Sequence, residues 1–232
     1  MRALPVRALN VLRGGVRCGV LAAALFAALA ATLAGVPRAA AAPEDDHRRA
    51  LTAYQRGDVV AAMRALRPAA AAGHAPSQTL LAFILDRADD AQEAARLYAE
   101  AARAGDPEGH AGLANLLLAG RGIAKDEKRA FEHFSKAAAL GHAPSVEIVA
   151  TAWVRSRLGA NAAAQPEAAR AALERAAALG HLESIDALAD GHANGRYGLP
   201  RDAAEAERWR ARAAALRAER ARPPAAGPVV RQ

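Results

Sequence analysis

Residues 120–145, GRGIAKDEKRAFEHFSKAAALGHAPS, read in order as a glycine loop, a helix cap, an amphipathic helix, a helix stop and the start of another helix. Asp126 stands where an N-cap belongs, because its carboxylate can accept from the free amides of the first turn. Ala130, Phe134, Ala137 and Ala138 are spaced by four, three and one, which puts them on one helical face. Gly141 then ends the helix as a residue able to take the left-handed conformation.

Weaker copies of the stretch recur along the chain. Taking Gly73, Gly105, Gly141 and Gly180 as anchors, the copies lie 32, 36 and 39 residues apart. Eleven residues before each anchor stands an alanine: Ala62, Ala94, Ala130 and Ala169. Seven before stands a large residue: Leu66, Tyr98, Phe134 and Leu173. Paired alanines close the face at Ala69-Ala70, Ala101-Ala102, Ala137-Ala138 and Ala176-Ala177. Small and large residues alternating on one face suit two closely packed helices. The helix starts fall at Asp58, Asp90 and Asp126, and at Gln165 followed by Pro166, proline being favoured at the first helical position. Asp90 with Glu93, and Asp202 with Glu205, have the spacing of a capping box.

A second helical pattern follows each anchor, marked by Leu81-Ala82, Leu113-Ala114, Val149-Ala150 and Leu188-Ala189. The small residues Ser77, Gly109, Ser145 and Ser184 precede these pairs. A last helix begins at Asp202 and continues the apolar face through Ala206, Trp209, Ala213 and Ala214 to about Arg220. The expected fold is all-α, a solenoid of about five helical hairpins over roughly 44–73, 76–105, 107–141, 144–180 and 182–220. Residues 42–220 would form the array, and 221–232, ARPPAAGPVVRQ, have the composition of a disordered tail.

Residues 1–41 read as an export segment. Arg2, Arg7, Arg13 and Arg17 precede an uncharged run from Cys18 to Val36, and Ala39-Ala40-Ala41 suits a signal peptidase, with cleavage after Ala41. The alternative is an uncleaved anchor, since the run is nearly long enough to span a membrane. The chain carries a formal charge of +7 over its 232 residues. Five of its arginines (those four and Arg38) lie in this segment without an acid, so the remainder is only about +2. A basic footprint on the folded part, the first requirement for nucleic-acid binding, is therefore missing. Cys18 is the only cysteine, which excludes an internal disulfide and a cysteine metal site in the array.

The units around Gly120-Arg-Gly-Ile-Ala-Lys-Asp126, His133-Phe134 and Gly141-His142-Ala143 resemble Sel-one-like repeats, a variety of tetratricopeptide-type hairpin. So do Gly195, Gly198-Leu-Pro-Arg-Asp202, Ala206 and Trp209. The first two units are closer to plain tetratricopeptide hairpins, and the fourth departs from the pattern with LGANAAAQP. The resemblance spans about residues 44–217. It implies a non-enzymatic adaptor or scaffold, exported to a bacterial envelope, with no cofactor.

The resemblance also implies that the first helix of each hairpin lines the concave surface. Thr79, Glu147 and Asp186 then form one row of partner-facing positions, and Asn115, Thr151 and Asp190 the next. Glu108 and Glu183 lie near the helix starts. The C-terminal half of this surface is expected to be acidic and to receive a basic or hydrogen-bonding segment of a partner protein. His74, His142 and His181 each follow an anchor glycine, on separate turns about one repeat apart, and are read as turn residues, not as a metal site. No nucleophile elbow, zinc-helix signature or phosphate loop is present. An envelope enzyme or enzyme subunit, and an adaptor held by residues 18–36, are the competing expectations.

Overall fold

A computed structural model describes residues 42–222. The signal segment expected at 1–41, and all but the first two residues of the expected tail, lie outside the described residues.

The described residues form ten helices: α1 (Pro43–Gln55), α2 (Val59–Ala71), α3 (Ala75–Arg87), α4 (Ala91–Arg103), α5 (Pro107–Ala119), α6 (Glu127–Ala139), α7 (Ala143–Arg155), α8 (Pro166–Ala178), α9 (Leu182–Asn194) and α10 (Ala203–Ala221). They pair in sequence as five hairpins, giving the all-α solenoid. Substantial contact is confined to helices of one hairpin or of neighbouring hairpins. Successive first helices touch at three of the four steps (α1 with α3, α3 with α5, α7 with α9), whereas successive second helices do not meet to the same degree. The row of first helices therefore forms the tighter, inner side of the array.

Most of the helices that begin after an aspartate are started by its side chain. The carboxylates of Asp58, Asp126 and Asp202 accept from first-turn amides at 2.9–3.0 Å, and Asp90 accepts from the Glu93 amide at 3.3 Å. The capping boxes are only half made. Glu93 turns to Arg67 and Arg96, and Glu205 to Arg208, because each carboxylate has a cation within reach. Gln165 makes no side-chain cap. The turn before α8 is held instead by Asn161, whose Oδ1 accepts from the amides of Ala163 and Ala164. All four anchor glycines are left-handed, with φ from 80° to 95°.

The core is the face expected from the repeat. Ala62, Ala94, Ala130 and Ala169 have no exposure, and Leu66, Phe134 and Leu173 are enclosed beside them. Each side chain of this size contributes roughly 1.5–3 kcal/mol by leaving water. The third residue of the inner first helices (Ser77, Gly109, Ser145, Ser184) is buried, Gly109 directly against Ala101 of α4.

The two terminal helices of the array differ. In α1 the third residue is Asp45 and the seventh is Arg49, both exposed. The seventh residues of α3, α5, α7 and α9 are the buried Leu81, Leu113, Val149 and Leu188. The outward face of α1 is thus polar, as the end of a stack requires. At the other end Ala214 is exposed, contrary to its place in the sequence pattern, because no further hairpin covers α10 among the described residues. Ala206 and Ala213 remain buried and Trp209 is partly so.

Candidate interaction surface on the first helices

The conspicuous histidines are structural, and more so than turn residues would be. His74, His142 and His181 each precede a first helix and hydrogen-bond through Nδ1 to the hydroxyl of the serine three residues on, Ser77, Ser145 and Ser184, at 2.7–2.8 Å. The rings hold fully buried hydroxyls, and for Ser145 and Ser184 the histidine is the side-chain partner that keeps the hydroxyl from being left unpaired, a costly state. Asp106 and Gly109 replace the pair before α5. A Cβ on Gly109 would lie 2.7 Å from that of Ala101, so no serine fits there.

Two histidine pairs were not legible in the sequence. His47 packs edge-on against His74 with ring centres 5.3 Å apart, and its Nδ1 lies 3.2 Å from the Ser77 hydroxyl. Burial, then the neighbouring His74, lowers the pKa of His47. His110 on α5 and His133 on α6 meet Nδ1 to Nδ1 at 2.9 Å, so one ring donates and the other accepts. Among the described residues no group of three or more His, Cys, Asp or Glu side chains is placed to hold a metal ion.

The eight side chains expected to face a partner fall into three places. Thr79, Glu108 and Asn115 line a groove of about 550 Å³ together with His47, Leu51, Phe83 and Tyr98. Glu147 and Thr151 line a second groove of about 490 Å³, with Leu118, Ile148 and Arg157 among its other walls. Glu183, Asp186 and Asp190 lie beyond, around a cleft between α7 and α9.

That last cleft is not the acidic surface its first helices suggest. Glu183 is held by Arg155 through two contacts, at 2.7 and 3.1 Å, and Thr151 donates to it as well. The Arg155 hydrogen bond keeps the Glu183 carboxyl below the usual carboxylate range. Arg217 of α10 pairs with Asp186, and Arg196 pairs with Asp190 at 2.7 Å. The acidity read from the first helices is thus compensated by arginines from a helix end, a loop and a second helix.

The first groove owes its depth to two residues. The sixth position of a first helix is Leu80 in α3 and Ile148 in α7 but Gly112 in α5. A Cβ at Gly112 would come within 2.3 Å of the Tyr98 ring. Tyr98, from the second helix α4, therefore shows through as a wall of the groove. Burial, then the nearby Asp86, raises its phenol pKa. Leu51 and Phe83, 37% and 39% exposed, form an apolar rim.

No established family profile matches the chain. A Sel1 repeat protein from Oxalobacter formigenes is similar in structure, with a TM-score of 0.54 and 24% identity over 75% of this chain and 73% of that one. A protective antigen of uropathogenic Escherichia coli strains, displaying an SLR fold, gives a TM-score of 0.56 at 22% identity. That match covers 74% of this chain and 38% of the antigen. At these identities the likeness establishes the fold: the chain is built as Sel1-type repeats are. An uncharacterized protein of Neisseria meningitidis serogroup B is 39% identical over 82 residues, which is 35% of this chain and 17% of that relative. The matched stretch is thus a small part of the relative's length.

Proposed function

We propose that this Sel1-type solenoid is a non-enzymatic scaffold that holds partner proteins on the inner row of first helices. The observation carrying this reading is that the inner row is grooved. Two open grooves of about 550 and 490 Å³, with apolar side chains and a few polar ones, follow each other along α1, α3, α5 and α7. Concave surfaces of this kind are what hairpin arrays offer to other chains. The titratable groups support the same reading. The perturbed histidines and tyrosines owe their shifts chiefly to burial within the repeat packing, and among the described residues no cleft assembles a nucleophile, a base and an orienting group.

The place of action we propose is the bacterial envelope, on the strength of the arginines and uncharged run in residues 1–36 and the small residues before Ala42. Mass measurement of the N-terminus of the protein recovered from cells tests cleavage after Ala41. The scaffold reading is tested by placing a photo-crosslinking amino acid at Thr79 or Asp190 on the inner row, or at Arg64 on the outer side, in living cells. Discrete adducts from the inner positions and none from Arg64 are expected. Adducts from neither side, together with turnover of a substrate by the pure protein, would overturn it.

A further inference from the structure

The inner row is not uniform in charge. In the cleft between α7 and α9, three carboxylates already have arginine partners. The groove across α1, α3 and α5 has the opposite character. Its lining includes Asp106 and Glu108 and no lysine or arginine. Glu108 is exposed and has no cationic partner among the described residues. Asp106 accepts from the Thr79 hydroxyl and from the Glu108 amide, and neither donor is a cation. Arg87 stacks on Phe83 at 5.7 Å from the ring centre and is not part of the lining.

Charge is only half of the description. The same groove has an aromatic and aliphatic wall of Leu51, Leu80, Phe83 and Tyr98, opened by the missing side chain of Gly112. An exposed amide, Asn115, stands one turn further along α5 and offers both a donor and an acceptor. A main chain lying across three helices could use that amide. A carboxylate beside an apolar recess selects a cation carried next to an apolar side chain, and it repels acidic segments. The open form of the groove suits a chain passing through more than an enclosed small molecule.

We propose that the α1–α3–α5 groove is the docking site for an extended segment of a partner protein with a large apolar residue beside a lysine or arginine. The apolar side chain packs on Phe83 and Tyr98, and the cation meets Glu108 with Asp106 behind it. This deepens the scaffold reading and rests on it. It also moves the centre of recognition from the C-terminal acids to the N-terminal half of the array.

The test uses the full-length protein and a positional-scanning library of fluorescent hexapeptides, read by anisotropy. Selection should favour Leu, Phe or Trp adjacent to Lys or Arg. Glu108→Lys and Phe83→Ser, each checked for unchanged helicity, should weaken the selected peptide by about five-fold or more. Asp186→Lys should leave it within about two-fold, because that carboxylate is already paired. Selection without a cation, selection of acidic peptides, or no binding would overturn the proposal. So would an affinity that follows Asp186→Lys and ignores Glu108→Lys. That last result would leave the inner row as the binding surface and remove only this site, whereas loss of the inner-row cross-links would remove both.

Discussion

His110 and His133 face each other Nδ1 to Nδ1 at 2.9 Å across the third hairpin. The contact requires at least one ring to be neutral, and its surroundings favour two neutral rings. Burial, then His110, Lys136 and Arg129, push the His133 pKa down to about 4, with Glu132 opposing. Burial and Lys136 lower that of His110, with Asp106 opposing. A folded-state pKa below the unfolded value of about 6.5 means that the unfolded chain binds more protons between those two values. Stability should therefore be fully present above pH 6.5 and decline as the pH falls towards 4. The urea midpoint, followed from pH 7.5 to 4.5, should drop more steeply in the natural protein than in a His133→Leu variant. Parallel curves would remove the pair as the cause.

Gly112 should not tolerate even a methyl group well. The added Cβ would press on the Tyr98 ring, and overpacking of this kind costs about 1–3 kcal/mol. At roughly 2–4 °C per kcal/mol for a chain of this size, Gly112→Ala should lower the melting temperature by several degrees. Combining it with Tyr98→Leu should cost clearly less than the sum of the two single changes, since the clash and the ring are one interaction. Additive losses would show that Gly112 and Tyr98 are independent.

Phe134 is 1% exposed at the centre of the best-kept repeat. Phe134→Ala should cost about 3–5 kcal/mol through lost burial and the cavity left behind. Calorimetry should show the loss, and hydrogen exchange should show faster opening in α6 and in its packing partners α5 and α7. Unchanged melting would mean that the register of the repeat is wrong.

Arg121 ties the long loop of the third hairpin to the second. Its Nη2 donates to the Asp86 carbonyl at 2.7 Å, lies 3.1 Å from the Asp86 carboxylate and approaches Asp89. A hydrogen bond from a charged group contributes roughly 1.5–3 kcal/mol, and exposure places this one at the lower end. Arg121→Ala should leave the helices intact and speed amide exchange in residues 120–126. A spectrum unchanged in that loop would mean that its glycines and Ile123 hold it without the arginine.

The solenoid could be read from the sequence because what specifies it is local. Asp126, Ala130, Phe134 and Gly141 carry cap, face and stop within a single helix, and repetition multiplied that signal. The proposed interaction surface was legible only as a set of positions. That Glu183, Asp186 and Asp190 face a cleft followed from the register, but their neutralisation depends on Arg155, Arg196 and Arg217. Two of these lie 28 and 31 residues from their partners, on other elements. The Tyr98–Gly112 contact is equally remote from sequence reading. Gly112 sits inside a helix, where a glycine looks like a weakness and not like the opening of a groove. The histidine–serine locks are the nearest miss. Their spacing of three recurs at His74, His142 and His181, and the regularity itself was the available signal.

The confinement of contacts to neighbouring hairpins has a mechanical consequence. Tension applied between α1 and α10 would meet the four joints between the five hairpins in series, with no substantial contact among the described residues that spans more than one of them. The chain should yield one hairpin at a time, each step releasing a length of about thirty to forty residues, as an array of nearest-neighbour units does. Anything gripping the inner row across two joints would act as a splint, so the force needed to open the array would itself report whether the surface is occupied.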